Sequence, residues 1–85
     1  MTLFELREML EQNGAVYGRH FTFGGLGDGV PGIELRRGRY YTYCAERDGG
    51  FRKTDFRLQP SEDEACAVLE REAIELAEAD GTWTG

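Results

Sequence analysis

The side chains able to do chemistry are few and scattered along this chain. His20 is its only histidine. General-base catalysis needs a nucleophile and an orienting acid beside the imidazole, and Val16 and Thr22, which share its face at strand spacing, offer no acid. Ser61 is the only serine. It stands before Glu62-Asp63-Glu64 and an apolar-periodic run, the pattern of a helix cap rather than of a nucleophile. Cys44 and Cys66 lie 22 residues apart. Zinc takes about four ligands, and His20 is the one other candidate of that type, so no metal site is expected. The thiols read as core residues; oxidative pairing across a sheet–helix interface is the alternative. The run Gly24-Gly25-Leu26-Gly27-Asp28-Gly29-Val30-Pro31-Gly32 invites comparison with a phosphate-cradling loop. Such loops lead into a helix N-terminus and carry a lysine in the triphosphate version. This one leads into a strand without one, and reads as a flexible connector long enough to touch a partner. The expectation is a chain with no cofactor and no catalytic activity.

What remains is recognition chemistry. Tyr40, Tyr41 and Tyr43 are interleaved with Arg36, Arg37, Arg39 and Arg47. Aromatic and basic side chains on a sheet can stack RNA bases or anchor a protein partner. Charge separates the two. The 85 residues carry a net charge of −6, and a domain of that sign is repelled by nucleic acid. No Lys/Arg-Gly-Phe/Tyr core of the RNA-recognition type is present either. The charge is also unevenly divided: residues 1–33 sum to −2, residues 34–59 to +3 and residues 60–85 to −7. Such a chain suits a protein partner, a basic one for its acidic face, although a solvated acidic surface alone also keeps a small domain in solution.

The elements that position these groups are readable. Hydrophobic residues make up 40% and charged residues 31%, too apolar for disorder and enough for a single domain over 1–85. No apolar run reaches the ~18 residues of a membrane span. The first residues meet an acid at Glu5 without a basic segment, so they do not read as a signal peptide, and a cytoplasmic location is expected. Thr2 and Glu5 form a capping box. Leu3, Leu6 and Leu10 repeat at helical spacing, and Gly14 can end the helix, which predicts a helix over 2–13. Residues 15–23 read as a strand with Tyr17, Arg19, Phe21 and Phe23 on one face. After the glycine loop, residues 33–36 start a second strand, Arg37-Gly38 turns, and residues 39–47 form a third. Asp48-Gly49-Gly50 is a hairpin turn. Residues 51–58 alternate, with Thr54, Phe56 and Leu58 expected on one face and Lys53, Asp55 and Arg57 on the other. Ser61 and Glu64 form a second capping box. The helix they open runs to about Ala79, with Ala65, Cys66, Leu69, Ala73, Leu76 and Ala77 inward and Glu70, Glu72, Glu75 and Glu78 outward. Residues 80–85 make a short tail holding Trp83. The order predicts an α+β domain of two layers, a helix, a three- or four-stranded antiparallel sheet and a second helix, with both helices on one sheet face.

Two surfaces are thereby offered to a partner: Arg37, Arg39, Tyr41 and Tyr43 on the free side of the sheet, and Glu70, Glu72, Glu75 and Glu78 on the second helix. A resemblance bears on which partner. The stretch 33–70, with Tyr40-Tyr41, Glu46-Arg47 and Ser61-Glu62-Asp63-Glu64-Ala65-Cys66, resembles small bacterial proteins encoded beside polymorphic toxins and taken to be their immunity proteins. It departs from them at Asp48, where glycine usually follows the arginine. The resemblance implies an inhibitor that binds a cognate toxin, a basic nuclease being the partner its acidity would suit, and no catalytic residue transfers. The alternative is a small structural or regulatory domain that self-associates, forming a homodimer through an unpaired sheet edge. Neither reading involves nucleic acid or membrane.

Overall fold

Both helices start where the sequence supplies oxygens to their free N–H groups. The computed structural model describes all 85 residues, with α1 at Leu3–Gln12 and α2 at Glu62–Ala79. The Thr2 hydroxyl accepts from the Glu5 N–H at 3.1 Å and the Glu5 carboxylate accepts from the Thr2 N–H at 2.8 Å, so the first capping box is complete. Ser61 accepts from the Glu64 N–H at 3.2 Å, but no reciprocal bond joins Glu64 to the cap. Glu62 instead accepts from the Leu3 N–H at 3.1 Å, tying the two helix starts together.

Between the helices lie β1 (Thr22–Phe23), β2 (Val30–Arg36), β3 (Arg39–Arg47) and β4 (Phe51–Gln59), hydrogen-bonded in that order. The domain is α+β, with the helices packed on one face of the sheet. α2 crosses β2, β3 and β4, and α1 lies against α2. Leu6 and Leu10 from α1, Phe21, Ile33, and Ala65, Cys66, Leu69, Ala73 and Ala77 from α2 form one buried cluster. Three of the five buried positions on α2 are alanines, which lets its backbone approach the sheet closely. Burying leucines of this kind contributes about 2–3 kcal/mol each.

Two features depart from the sequence expectation. The sheet is mixed, because β1 runs parallel to β2, with Thr22 opposite Gly32 and Phe23 opposite Ile33. The predicted strand over 15–23 contracts to its last two residues. Gly18, at φ 87°, starts a turn, and the His20 and Arg19 N–H groups donate back to the Val16 carbonyl at 2.9 and 3.1 Å. Tyr17, Phe21 and Phe23 still share one side, their rings meeting edge to face at 5.3–5.9 Å. A parallel pair needs the chain to travel back along the sheet, and residues 24–29 make that return. Val30, Pro31 and Gly32, expected in the loop, already belong to β2. Proline is tolerated at a strand start or edge, and Pro31 precedes the positions that β1 pairs.

The second departure is in β4. Thr42 faces Arg57 and Cys44 faces Thr54, so two residues, Asp55 and Phe56, stand opposite the single Tyr43. Asp55 takes φ 58°, the left-handed conformation that Asp tolerates better than most residues. The bulge inverts the alternation. Thr54 goes to the helix side, while Lys53 joins Phe56 and Leu58 on the other.

Candidate interaction surface

The free side of the sheet is built from alternate residues of three strands. Cross-strand register places Val30 with Ala45, Gly32 with Tyr43, Glu34 with Tyr41, and Arg36 with Arg39. The Asp55 bulge adds Lys53, Phe56 and Leu58 from β4. Tyr40 and Cys44 face the helices, as alternation along β3 requires. This surface divides into two halves.

The half nearest β1 is covered by the returning glycine loop. The Tyr43 hydroxyl donates to the Gly25 carbonyl at 2.7 Å, and the Lys53 ammonium donates to the Gly24 carbonyl at 2.7 Å. Beneath the loop, Val30, Tyr43 and Ala45 make a small second core. Tyr43 can lie flat across β2 because Gly32 has no side chain: a Cβ there would fall 2.5 Å from the tyrosine Cζ. Burial pushes the Tyr43 hydroxyl up to about 12, so it stays a donor at all physiological pH. The connector is thus fastened to the sheet rather than hanging from it. Tyr43, one of the expected contact residues, lies on the expected face but is only 4% exposed.

The other half is open. Tyr41 is half-buried, with its ring 6.5 Å from that of Phe56. Phe56 stacks on Tyr43 at 5.4 Å on one side and carries the Arg36 guanidinium 4.8 Å from its ring centre. Phe56 and Leu58 are 38% and 54% exposed and adjoin Tyr41 on one face. Glu34 accepts from Lys53 at 2.5 Å and also pairs with Arg36. The Lys53 hydrogen bond, first among several causes, holds the Glu34 carboxyl below the usual carboxylate range. At the end of this half Arg37 and Gly38 form the β2–β3 turn with φ 49° and 76°, and Arg37 and Arg39 point into solvent with no carboxylate within salt-bridge distance. Phe56 and Leu58 are the surface residues that strict alternation along β4 misses, since only the bulge brings them beside Tyr41.

The four glutamates of α2 do not form one patch. Residues two apart point away from each other on a helix, so Glu70 and Glu72 fall on opposite flanks. Glu70 is half-buried and Glu75 and Glu78 are exposed. Glu72 leans toward the sheet beside Cys44, Asp55, Arg57 and Arg71, and partial burial raises its carboxyl. Cys44 and Cys66 are free thiols. Burial pushes Cys66 up to about 11 and Cys44 upward as well, so both are poor nucleophiles near neutral pH.

His20 has a structural role. It is 1% exposed. Its Nδ1 accepts from the Val16 N–H at 2.9 Å, which leaves the ring proton on Nε2, 2.7 Å from the Asp80 carboxylate. Asp80 also meets Arg19 at 3.0 Å. The His20 hydrogen bond, then Arg19, holds the Asp80 carboxyl below its ordinary value. The end of α2 is thereby locked to the turn before β1. The chain then returns to α1, where the Thr84 N–H donates to the Asn13 carbonyl at 2.7 Å and Trp83 packs on the core. No three His, Cys, Asp or Glu side chains converge as a metal site would need, and no helix is long and apolar enough to cross a membrane. Comparison with known protein families, with curated proteins and with solved structures returns no match for this chain.

Proposed function

We propose that this chain is a non-catalytic protein-binding domain, an immunity protein that inhibits a cognate bacterial toxin by direct contact. The observation that carries the reading is the open half of the sheet, where Tyr41, Phe56 and Leu58 stand beside Arg36, Arg37 and Arg39 with nothing of the chain's own above them. Aromatic and arginine side chains on a rigid sheet are the residue types that dominate binding energy at interfaces. The toxin as partner comes from the resemblance carried by Tyr40-Tyr41, Glu46-Arg47 and the Ser61–Cys66 helix start. The net charge of −6 contributes separately, by steering a basic partner such as a nuclease into encounter. In this mechanism Glu72, Glu75 and Glu78 speed association and the sheet face sets residence time.

The test is capture from the native host with tagged protein, read by mass spectrometry, alongside survival of cells expressing the captured protein's C-terminal domain. Recovery of a large multidomain protein, rescue by the wild type, and loss of both in a Tyr41→Ala, Phe56→Ala variant is the expected result. Capture or rescue unaffected by that variant would remove the sheet face from the mechanism. Recovery of the chain alone, at dimer mass, would favour self-association instead. The β4 edge is nine residues long, but the Asp55 bulge and the charges on Arg52, Lys53 and Arg57 work against a second strand pairing along it.

A further inference from the structure

The β2–β3 hairpin carries three arginines in an arrangement that costs the fold stability. Arg36 and Arg39 are directly opposed across the strands, and like charges so placed repel. Arg37 occupies the first central position of a two-residue turn with φ 49° and Gly38 the second with φ 76°. A turn with both angles positive favours Asn, Asp or Gly at the first position, and arginine is a poor choice there. The chain has acids to spare, sixteen against ten bases. Arg7, Arg19, Arg36, Arg52, Lys53 and Arg57 each meet a carboxylate, yet Arg37 and Arg39 meet none. The same is true of the remote Arg47 and Arg71, but of these four only Arg37 and Arg39 share one hollow. Together with Arg36 and Tyr41 they line a shallow open hollow. The Tyr41 hydroxyl has no hydrogen-bond partner within the chain and remains available at its edge.

We propose that this hollow is a carboxylate clamp, and that it receives an acidic segment of the protein that docks on the sheet. The proposal deepens the docking reading above and depends on it for the partner being a protein. Guanidinium forks match carboxylates in a planar, bidentate fashion. The rings of Tyr41 and Phe56 offer an apolar floor beside the forks, which suits a segment alternating acidic and apolar residues. A polynucleotide fits less well. It presents one negative charge about every 1.7 Å along a duplex, and beyond these arginines it would meet Glu34 on the same face and a net charge of −6 around it.

The probe is a short blocked peptide of alternating glutamate and leucine, added to isotope-labelled full-length protein and followed by amide chemical shifts. Shifts confined to residues 36–41 and 56–58, with affinity falling as salt rises, are expected. Arg37→Asn and Arg39→Gln should each weaken the peptide by about tenfold, the worth of one charge-assisted hydrogen bond. Arg37→Asn should at the same time leave the melting temperature unchanged or higher, which separates lost binding from lost structure. Arg47→Gln and Arg71→Gln, remote from the hollow, should leave affinity unchanged. The clamp is overturned if hairpin amides do not move, if both hairpin variants bind as the wild type does, or if an oligothymidylate or inorganic phosphate binds more tightly than the peptide. A captured toxin that holds Arg37→Asn and Arg39→Gln with unchanged affinity would sink the clamp while leaving the docking reading standing. Peptide binding lost in both variants, with no toxin captured, would support the clamp and sink the toxin reading.

Discussion

Replacing Gly32 with alanine tests how the sheet face is assembled. A Cβ at this position would lie 2.5 Å from the Tyr43 Cζ and 2.7 Å from both its Cε1 and hydroxyl oxygen. Neither side can yield cheaply. Gly32 is held between Thr22 and Tyr43 on neighbouring strands, and the Tyr43 ring is pinned by Phe56 and by its bond to Gly25. Overpacking a filled site costs about 1–3 kcal/mol. Displacing the hydroxyl from the Gly25 carbonyl adds about 1 kcal/mol. The loss should therefore be about 2–4 kcal/mol, which in a domain of this size lowers the melting temperature by roughly 10–25 °C. Thermal and urea melts by circular dichroism measure it directly. The same substitution in a Tyr43→Ala background, where the ring is gone, should cost less than about 1 kcal/mol, the difference being the coupling energy of the pair. A cost below about 0.5 kcal/mol in the wild type, or an equal cost in both backgrounds, would refute the account. Because Phe56 stacks on the displaced ring, the intact-fold fraction of the Gly32→Ala protein should also bind its partner more weakly.

Four further outcomes follow from the same geometry. His20→Ala removes the buried ring, opening a cavity, and leaves the half-buried Val16 N–H without its acceptor, so urea melts should show a loss of about 2–4 kcal/mol; a loss below about 1 kcal/mol would mean that water replaces the ring. The Asp80 carboxyl is held below its ordinary value by His20 and Arg19, so its contribution is present above the unfolded value of about 3.9 and is lost as pH falls through the lower folded value. Wild type should therefore exceed Asp80→Asn in stability at pH 6 and converge with it in acid, and a gap that stays constant with pH would contradict the assignment. Glu72 runs the other way. Its raised carboxyl means that folding loses stability as pH rises through the folded value, so Glu72→Gln should stabilise the protein at pH 7. The gain should be no more than about 0.5 kcal/mol, because the side chain is only partly shielded and solvent still screens it, and it should vanish below the unfolded value. Alanine at Glu70, Glu72, Glu75 and Glu78 together should slow association with the captured partner and flatten its salt dependence; stopped-flow rates equal to wild type would exclude α2 from steering.

Where each element could be read from sequence depended on whether its signal was local. Both helices, the β3 strand and the Arg37-Gly38 and Gly49-Gly50 turns rest on caps, periodicity and glycine, which act within a few residues, and they stand where the sequence predicts them. Residues 15–23 failed that test. Their alternation satisfies a strand, but Gly18 turns the chain and the His20 ring takes the Val16 N–H, a bond that alternation cannot report. The parallel direction of β1 depends on the return of residues 24–29 over Tyr43 and Lys53, contacts 18 and 29 residues distant from their partners in the chain. The inversion of β4 turns on a single residue, Asp55, whose tolerance of positive φ is a weak signal among many aspartates. It was nevertheless decisive for the surface. Without the bulge Phe56 would not share a face with Lys53, and Tyr41 would lose the apolar neighbours Phe56 and Leu58.

That dependence gives the bulge a role beyond shape. A regular β4 would present an unbroken edge of backbone donors and acceptors, the usual route to association with a second sheet. The extra residue interrupts that edge and in the same step moves Phe56 and Leu58 onto the free face. One local distortion therefore makes edge pairing less favourable and face binding more so. The glycine loop acts in the same direction from the other side. By covering Tyr43, Val30 and Ala45 it removes half of the apolar face from solvent, which leaves Tyr41, Phe56 and Leu58 as the exposed patch beside the β2–β3 hairpin. A patch that small does not hold a partner through area alone. It needs directional contacts at its border, and the nearest groups able to make them are the three guanidiniums of the β2–β3 hairpin. The placement of Arg37 and Arg39, costly to the turn and unpaired within the chain, is what a face of this size requires if it is to bind selectively.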